Sequence, residues 1–174
     1  MNSNQRQFIP VNIAVLTASD SRTEVIDTSG KALVERLTEA GHHLADKQIT
    51  PDDVYRIRAV VAGWIANPDI QVVITTGGTG VTGRDGSPEA IKPLLDKTLD
   101  GFGEMFRALS YDDIGTSSLQ SRCLAGVANA TYLFVLPGST GACKLAWEKL
   151  IVHQLDYRTR PCNLVELMPR LLET

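Results

Sequence analysis

Val72 to Asp85 reads V-V-I-T-T-G-G-T-G-V-T-G-R-D, and its residue types and spacing could do chemistry. Four glycines fall within the seven residues Gly77 to Gly83, among the hydroxyls of Thr75, Thr76, Thr79 and Thr82. Clustered glycines let a backbone turn freely and approach a ligand with no Cβ in the way. A strand feeding such a loop, followed by a helix, aims backbone N–H groups at phosphate. Arg84 beside Asp85 closes the loop with opposite charges. An ordinary tight turn between strand and helix needs far fewer glycines and no threonines, so the pattern points to an anion site.

Two familiar phosphate motifs nearly fit. Gly78 to Arg84 has the Walker A spacing up to its second glycine, but Arg84-Asp85 stands where Lys-Ser/Thr is required, which argues against a P-loop NTPase. Gly78-Thr79-Gly80-Val81-Thr82-Gly83 satisfies G-x-G-x-x-G. A dinucleotide fold, however, packs the third glycine inside the opening helix. Here Gly86-Ser87-Pro88 follows, and Pro88 suits the first turn of a later helix. A dinucleotide-binding protein is thus a distant alternative.

The elements that position the loop read as alternating strands and helices. Val11 to Thr17 is a central-strand candidate ending in the polar Ala18-Ser19-Asp20-Ser21-Arg22. Asp27 to Gly30 offers N-cap chemistry, with solvated Asp27, before a helix over Lys31 to Ala40. His42 to Ile49 reads as a less buried strand. Its adjacent histidines would point to opposite faces and make a poor metal pair. Thr50 caps the next helix, with Pro51 at its first position. The glycine-loop strand follows, then helices over Pro88 to Leu95 and beyond Leu99, and a polar connection from Gly115 to Arg122. The last strong strand, Ala130 to Leu136, ends in Pro137-Gly138-Ser139-Thr140-Gly141. This pattern predicts an α/β three-layer sandwich, helices on both faces of a mostly parallel sheet, with 1–174 as one domain. If the strands ending at Thr17, Thr75 and Leu136 are parallel neighbours, their three loops share one rim, where open α/β sheets bind ligands.

Bulk properties narrow the partners. Of the 174 residues 43% are hydrophobic and the net charge is −3, with the signs interspersed, so no basic stripe marks a nucleic-acid binder. Cys123, Cys143 and Cys162 are scattered, which speaks against disulfide frameworks and zinc and for a reducing, cytoplasmic setting. Met1 to Gln7 is polar, and no apolar run approaches membrane length, so neither a signal peptide nor a membrane span is expected. No Cys-His or Ser-His-Asp constellation stands out. Anion binding plus carboxylates remains, which suits phosphoryl or nucleotidyl transfer by positioning with a bound Mg²⁺.

The chain resembles the MoaB/MogA family of molybdenum-cofactor biosynthesis proteins. The likeness rests on L-T-A-S-D-S-R (16–22), D-T-S-G (27–30), P-D-D (51–53), T-T-G-G-T-G-V-T-G-R-D (75–85), G-F-G-E-M-F-R (101–107), L-Q-S-R (119–122) and V-L-P-G-S-T (135–140). T-R-P-C-N (159–163) resembles the MoaB branch in particular. The resemblance implies binding of molybdopterin, a pterin with a dithiolene and a terminal phosphate. In active members ATP with Mg²⁺ adenylylates that phosphate. Carried over by motif, Asp52 and Asp85 would be the catalytic, Mg²⁺-linked carboxylates. Thr76, Gly77, Gly78, Thr79, Gly80 and Arg84 would cradle phosphate, with Ser19 and Asp20 beside them. Ser121, Arg122, Pro137, Gly138 and Ser139 would line the pterin end. The resemblance also implies a homo-oligomer, trimer or hexamer, and contact with other proteins of the same biosynthesis. Many members have a second proline in the last loop; here Thr140 replaces it, which would loosen that turn. A paralogue that binds the pterin or acts as a scaffold, without turnover, is the alternative reading.

Overall fold

A computed structural model describes residues 6–173; the reading of the polar N-terminal tip lies, for residues 1–5, outside them. Six strands make one sheet: β1 (Asn12–Ala18), β2 (His43–Thr50), β3 (Val72–Thr76), β4 (Lys97–Thr98), β5 (Leu124–Ala128) and β6 (Thr131–Leu136). Their spatial order is β2-β1-β3-β6-β5-β4. The β2-β1-β3-β6 part is parallel, and β5 and β4 are added antiparallel. The helices are α1 (Thr28–Glu39), α2 (Val54–Ala66), α3 (Ser87–Ile91), α4 (Asp100–Ile114), α5 (Thr140–Ala146), α6 (Val152–Gln154) and α7 (Leu164–Leu167). No helix of the described residues is long and apolar enough to cross a membrane.

Both sheet faces are covered, which is why β3 and β6 read as unbroken apolar and threonine runs. Ile13 and Val15 of β1 pack with Leu33 and Leu37 of α1, Phe106 of α4 and Cys143 of α5. Ala14, Leu16 and Ala18 point the other way, into Ile57, Val61 and Trp64 of α2 and Ala90 and Ile91 of α3. Successive residues of one strand thus serve two cores, as the alternation of a pleated strand demands.

Four local expectations need correction. The cap of α2 is Asp53, not Thr50; its carboxylate accepts from Tyr55 N at 3.0 Å and Arg56 N at 2.8 Å. The preceding Pro51 is consequently outside the helix. Asp27 does cap α1, through Gly30 N at 3.0 Å, but its side chain is buried rather than solvated. The helix expected over Pro88–Leu95 is α3 followed by a 3₁₀ turn, Lys92–Leu94. Ala130 belongs to a turn rather than to the last strand: Asn129 and Ala130 have φ of 47° and 64° and join β5 to β6 as a tight hairpin. Strand β5 itself, L-A-G-V-A, is too short and small-residued to announce itself in sequence.

The parallel strands end level. Thr17 pairs with Thr76, Thr76 with Leu136, and Ala18 with Thr50, so four strand ends meet at one rim. Gly77 sits at its centre with φ of 101°, and a Cβ placed on it would come within 2.1 Å of Ala18 O. Its N–H donates to Leu136 O at 3.1 Å. A side chain there meets backbone, which cannot swing aside. Gly77→Ala is expected to lower unfolding free energy by roughly 2 kcal/mol, in the range of forced left-handed, sterically opposed positions. Urea titration followed by circular dichroism measures it, and an unchanged midpoint would show that the rim opens to admit a methyl group.

Candidate functional site

The loops after β1, β3 and β6 are tied together by the polar groups that end each strand. Thr76 donates its hydroxyl proton to Pro137 O at 2.8 Å. Thr17 donates to Asp27 Oδ2 at 2.8 Å. Arg22 reaches across from the first loop: Nη2 donates to Gly138 O at 2.7 Å, and Nη1 faces Asp27 and the Ser29 hydroxyl. Burial pushes the Asp27 carboxyl up, but the Gly30 N–H, the Thr17 hydroxyl and Lys47 outweigh it and hold it below its ordinary value. Asp27 is therefore an ionised strut beneath the loops. Thr140 opens α5, a first-turn position that a proline also suits, and its hydroxyl lies 2.8 Å from that of Thr28. The replaced proline leaves the turn tied.

Both expected carboxylates reach the glycine loop, at different glycines. Asp52 lies just before α2, and a Cβ on Gly78 would fall 2.4 Å from its Oδ1. That oxygen is buried and has no hydrogen-bond partner. Burial, then the charges of Asp20 and Asp85, push the Asp52 carboxyl up to about 6, against the pull of Arg84. Asp85 lies against Gly80, where a Cβ would meet its Oδ2 at 2.6 Å. The Thr82 hydroxyl and N–H both donate to Asp85 and hold its carboxyl below the ordinary value. The two carboxyls are thus shifted in opposite directions, one up by burial and neighbouring charge, the other down by the Thr82 donors. Ser87 locks the loop from beneath, donating its hydroxyl to Gly77 O at 2.7 Å and its N–H to Gly78 O at 3.0 Å.

The other expected residues divide. Arg84 does not close the loop with Asp85; its guanidinium forks onto Asp20, with Nη2 at 2.9 and 2.8 Å from the two oxygens. The reason is reach: Asp85 is already bound to Thr82, while Asp20 faces Arg84 from the neighbouring strand end. Ser19 shapes its own loop, its hydroxyl accepting from Arg22 N at 3.2 Å. Thr79 is buried within the glycine loop. Pro137 and Gly138 abut Thr76 and Gly77, and Ser139 caps α5 through Ala142 N. Arg122 meets the loop directly, donating to Gly80 O at 2.8 Å and Asp85 O at 3.2 Å and pairing with Glu89. Ser121 instead meets Arg107, which donates to its carbonyl at 3.4 Å. Sequence reading passed over Arg22, Lys47, Ser87 and Glu89. Arg22 and Ser87 sat inside quoted or adjoining motifs, whereas Lys47 and Glu89 carry no local signal.

Among the described residues no three His, Cys, Asp or Glu side chains converge to cage a metal ion. A pair of carboxylates fits Mg²⁺ nonetheless, because that ion keeps waters and substrate phosphates in its shell. A hollow of about 570 Å³ opens over the ends of β1 and β2, lined by Ser19, Asp20, Arg22, Lys47, Thr50 and Pro51 among others, while Asp52, Asp85 and the glycine loop do not line it. A more apolar hollow of about 610 Å³ lies between α4 and the helices after β6, and none of the expected site residues lines it. The G-x-G-x-x-G reading fails here: Gly83 has open space around it and lies outside α3, so it packs no helix against the sheet.

Comparison with known proteins agrees with the geometry. Residues 14–157 match the family model described as a probable molybdopterin binding domain. The chain is 56% identical over 163 residues to molybdenum cofactor biosynthesis protein B of Escherichia coli K12, covering 94% of this chain and 96% of that one. A crystal structure of a molybdenum cofactor biosynthesis protein B superposes with a TM-score of 0.84 at 44% identity, over 86% of this chain and 94% of the other. The tungsten cofactor synthesizing protein MoaB from Pyrococcus furiosus superposes with a TM-score of 0.72 at 38% identity, over 80% and 89%. With a site built on the motifs that carry the resemblance, and relatives that match along nearly its whole length, the chain belongs to the MoaB/MogA family of molybdenum-cofactor biosynthesis proteins.

Proposed function

We propose that this protein acts in molybdenum-cofactor biosynthesis by binding molybdopterin at the shared rim and adenylylating its terminal phosphate with ATP. The observation that carries the reading is the buried, unpartnered Asp52 oxygen set against Gly78 of the phosphate-binding loop. Leaving a carboxylate oxygen unpaired costs stability unless a ligand completes it. In the proposed reaction an oxygen of the pterin phosphate attacks the α-phosphorus of ATP. The new P–O bond forms as the bond to the β-phosphate oxygen breaks, and pyrophosphate leaves with that electron pair.

The chain's own part is positioning and electrostatics. Gly77, Gly78 and Gly80 keep Cβ atoms away from the phosphates, and Ser87 and Arg122 fix the loop from two sides. Asp52 and Asp85 would hold Mg²⁺, which when bound supplies positive charge to the reacting phosphates. Ser121 would offer the pterin its buried, unpartnered hydroxyl, while its carbonyl accepts from Arg107. A single domain over 1–174, a cytoplasmic setting and contact with other proteins of the same biosynthesis belong to the same reading. So does a homo-oligomer, trimer or hexamer, and the exposed Met105, Tyr111 and Ile114 of α4 give a second copy an apolar surface to cover. Binding without turnover is favoured by one observation, that Thr82 already occupies Asp85. Incubation with molybdopterin, ATP and Mg²⁺ separates the two: pyrophosphate and adenylylated pterin appear, or the pterin binds and remains unchanged.

Asp85→Asn is expected to keep the fold, because an amide oxygen still accepts from Thr82, and to reduce pyrophosphate release by about 10² or more. Turnover near the wild-type rate would make Asp85 a loop-shaping residue alone. Asp52 yields a separate forecast for metal-free protein. Its folded pKa lies above its unfolded one, so the native state binds the extra proton and loses stability as pH rises from about 4 through about 6. Asp52→Asn escapes that loss. Its melting temperature should match or trail the wild type near pH 4, overtake it through pH 6 and stay ahead above pH 7, while turnover is lost. A variant that melts lower than wild type at pH 8 and remains active would remove Asp52 from the site.

A further inference from the structure

The cations around the three loops are all engaged, but not alike. Arg22 bonds to Gly138 O and faces the fully buried Asp27 carboxylate. Arg122 holds two loop carbonyls. Lys47 is shared between Glu24 and Asp27. Arg84 differs, since each of its hydrogen bonds goes to the single carboxylate of Asp20: Nε to Oδ2 at 3.1 Å, and Nη2 to both oxygens. Both partners stand in solvent, with side chains 68% and 47% exposed. An exposed pair of this kind holds weakly, whereas the guanidinium fork accepts a phosphate in the same two-pronged geometry as a carboxylate.

Position makes that exchange consequential. Arg84 belongs to the turn that ends the glycine loop, where Asp85 N donates to Thr82 O at 3.1 Å. Asp20 follows β1, and its Oδ1 also accepts Asp52 N at 3.0 Å. The pair therefore bridges two strand-end loops directly beside the carboxylate placed at the reacting phosphates. We propose that Asp20 is a built-in stand-in for phosphate, occupying Arg84 until the polyphosphate tail of the nucleotide displaces it. Asp20 is then not a substrate contact but the competitor a substrate must beat, and Arg84 is the residue that reads a polyphosphate. This deepens the nucleotide reading and rests on it.

Calorimetric titration with inorganic tripolyphosphate, without divalent ions, tests the exchange in the full chain. Asp20→Asn keeps the acceptor for Asp52 N–H and loses the charge that holds Arg84. It is expected to bind tripolyphosphate about fivefold more tightly than wild type, in line with release of one exposed ion pair. Arg84→Gln should bind about tenfold more weakly. The double variant should match Arg84→Gln, because the gain from Asp20→Asn runs through the freed guanidinium. A gain that persists in the Arg84→Gln background reflects net charge alone and overturns the proposal. So does an Asp20→Asn protein no tighter than a wild type that still binds ATP with Mg²⁺; the nucleotide reading survives that result. If neither wild type nor Asp20→Asn binds tripolyphosphate or ATP with Mg²⁺, both readings fall together.

Discussion

The closest approach at the rim is the one on which the rest depends. Gly77 passes so near Ala18 O that no side chain fits between, and its N–H is held by Leu136 O. One residue thereby spaces β1, β3 and β6 at their ends. Because those strands pair in parallel and stop level, the loops that leave them have nowhere to go but over the same rim. Thr76, Thr17 and Arg22 then stitch the loops with hydrogen bonds, of which the Thr17–Asp27 bond is buried and the other two partly so, which limits competition from water. Ser87 and Arg122 in turn hold the glycine loop at the carbonyls of Gly77, Gly78 and Gly80, which fixes its path despite its composition.

Rigidity has an electrostatic cost that falls on Asp52. Its Oδ1 is buried beside Gly78 without a partner, and Asp20 and Asp85 add repulsion. Asp85, one loop turn away, is comfortable in the bonds from Thr82. The fold thus stores an unfavourable carboxylate next to a favourable one. Most buried polar atoms are paired; among the described residues Asp52 Oδ1 shares its lack of a partner with His42 Nε2, Thr75 Oγ1 and Ser121 Oγ, and it alone of these belongs to a carboxyl group.

How far residues alone carry the reading differs by feature. The β3 strand and its loop were plain, since a Val-Val-Ile run entering clustered glycines has few other readings. The tight hairpin at Asn129-Ala130 was hidden, because an alanine at φ of 64° is not a turn signal and packing alone imposes it. The cap of α2 moved from Thr50 to Asp53 because Thr50 is the last residue of β2, paired with Ala18 in the sheet, and the helix begins only at Val54. Asp27 was taken for a solvated cap, yet Thr17 and Lys47 enclose it from elements that lie far off along the chain.

Sequence by itself determined the layered α/β architecture, because hydrophobic period is a local property that survives without neighbours, and the family, through the motifs that carry the resemblance; it marked the glycine loop as a candidate anion site. It named the carboxylates only through motif likeness. Tertiary structure decided their partners. Arg84 goes to Asp20 and not to the adjacent Asp85, Arg122 to the loop carbonyls, and Arg22 to the far side of the rim. Each choice is made between groups on different strand ends, and the strand register sets that distance, which no local pattern of residues encodes.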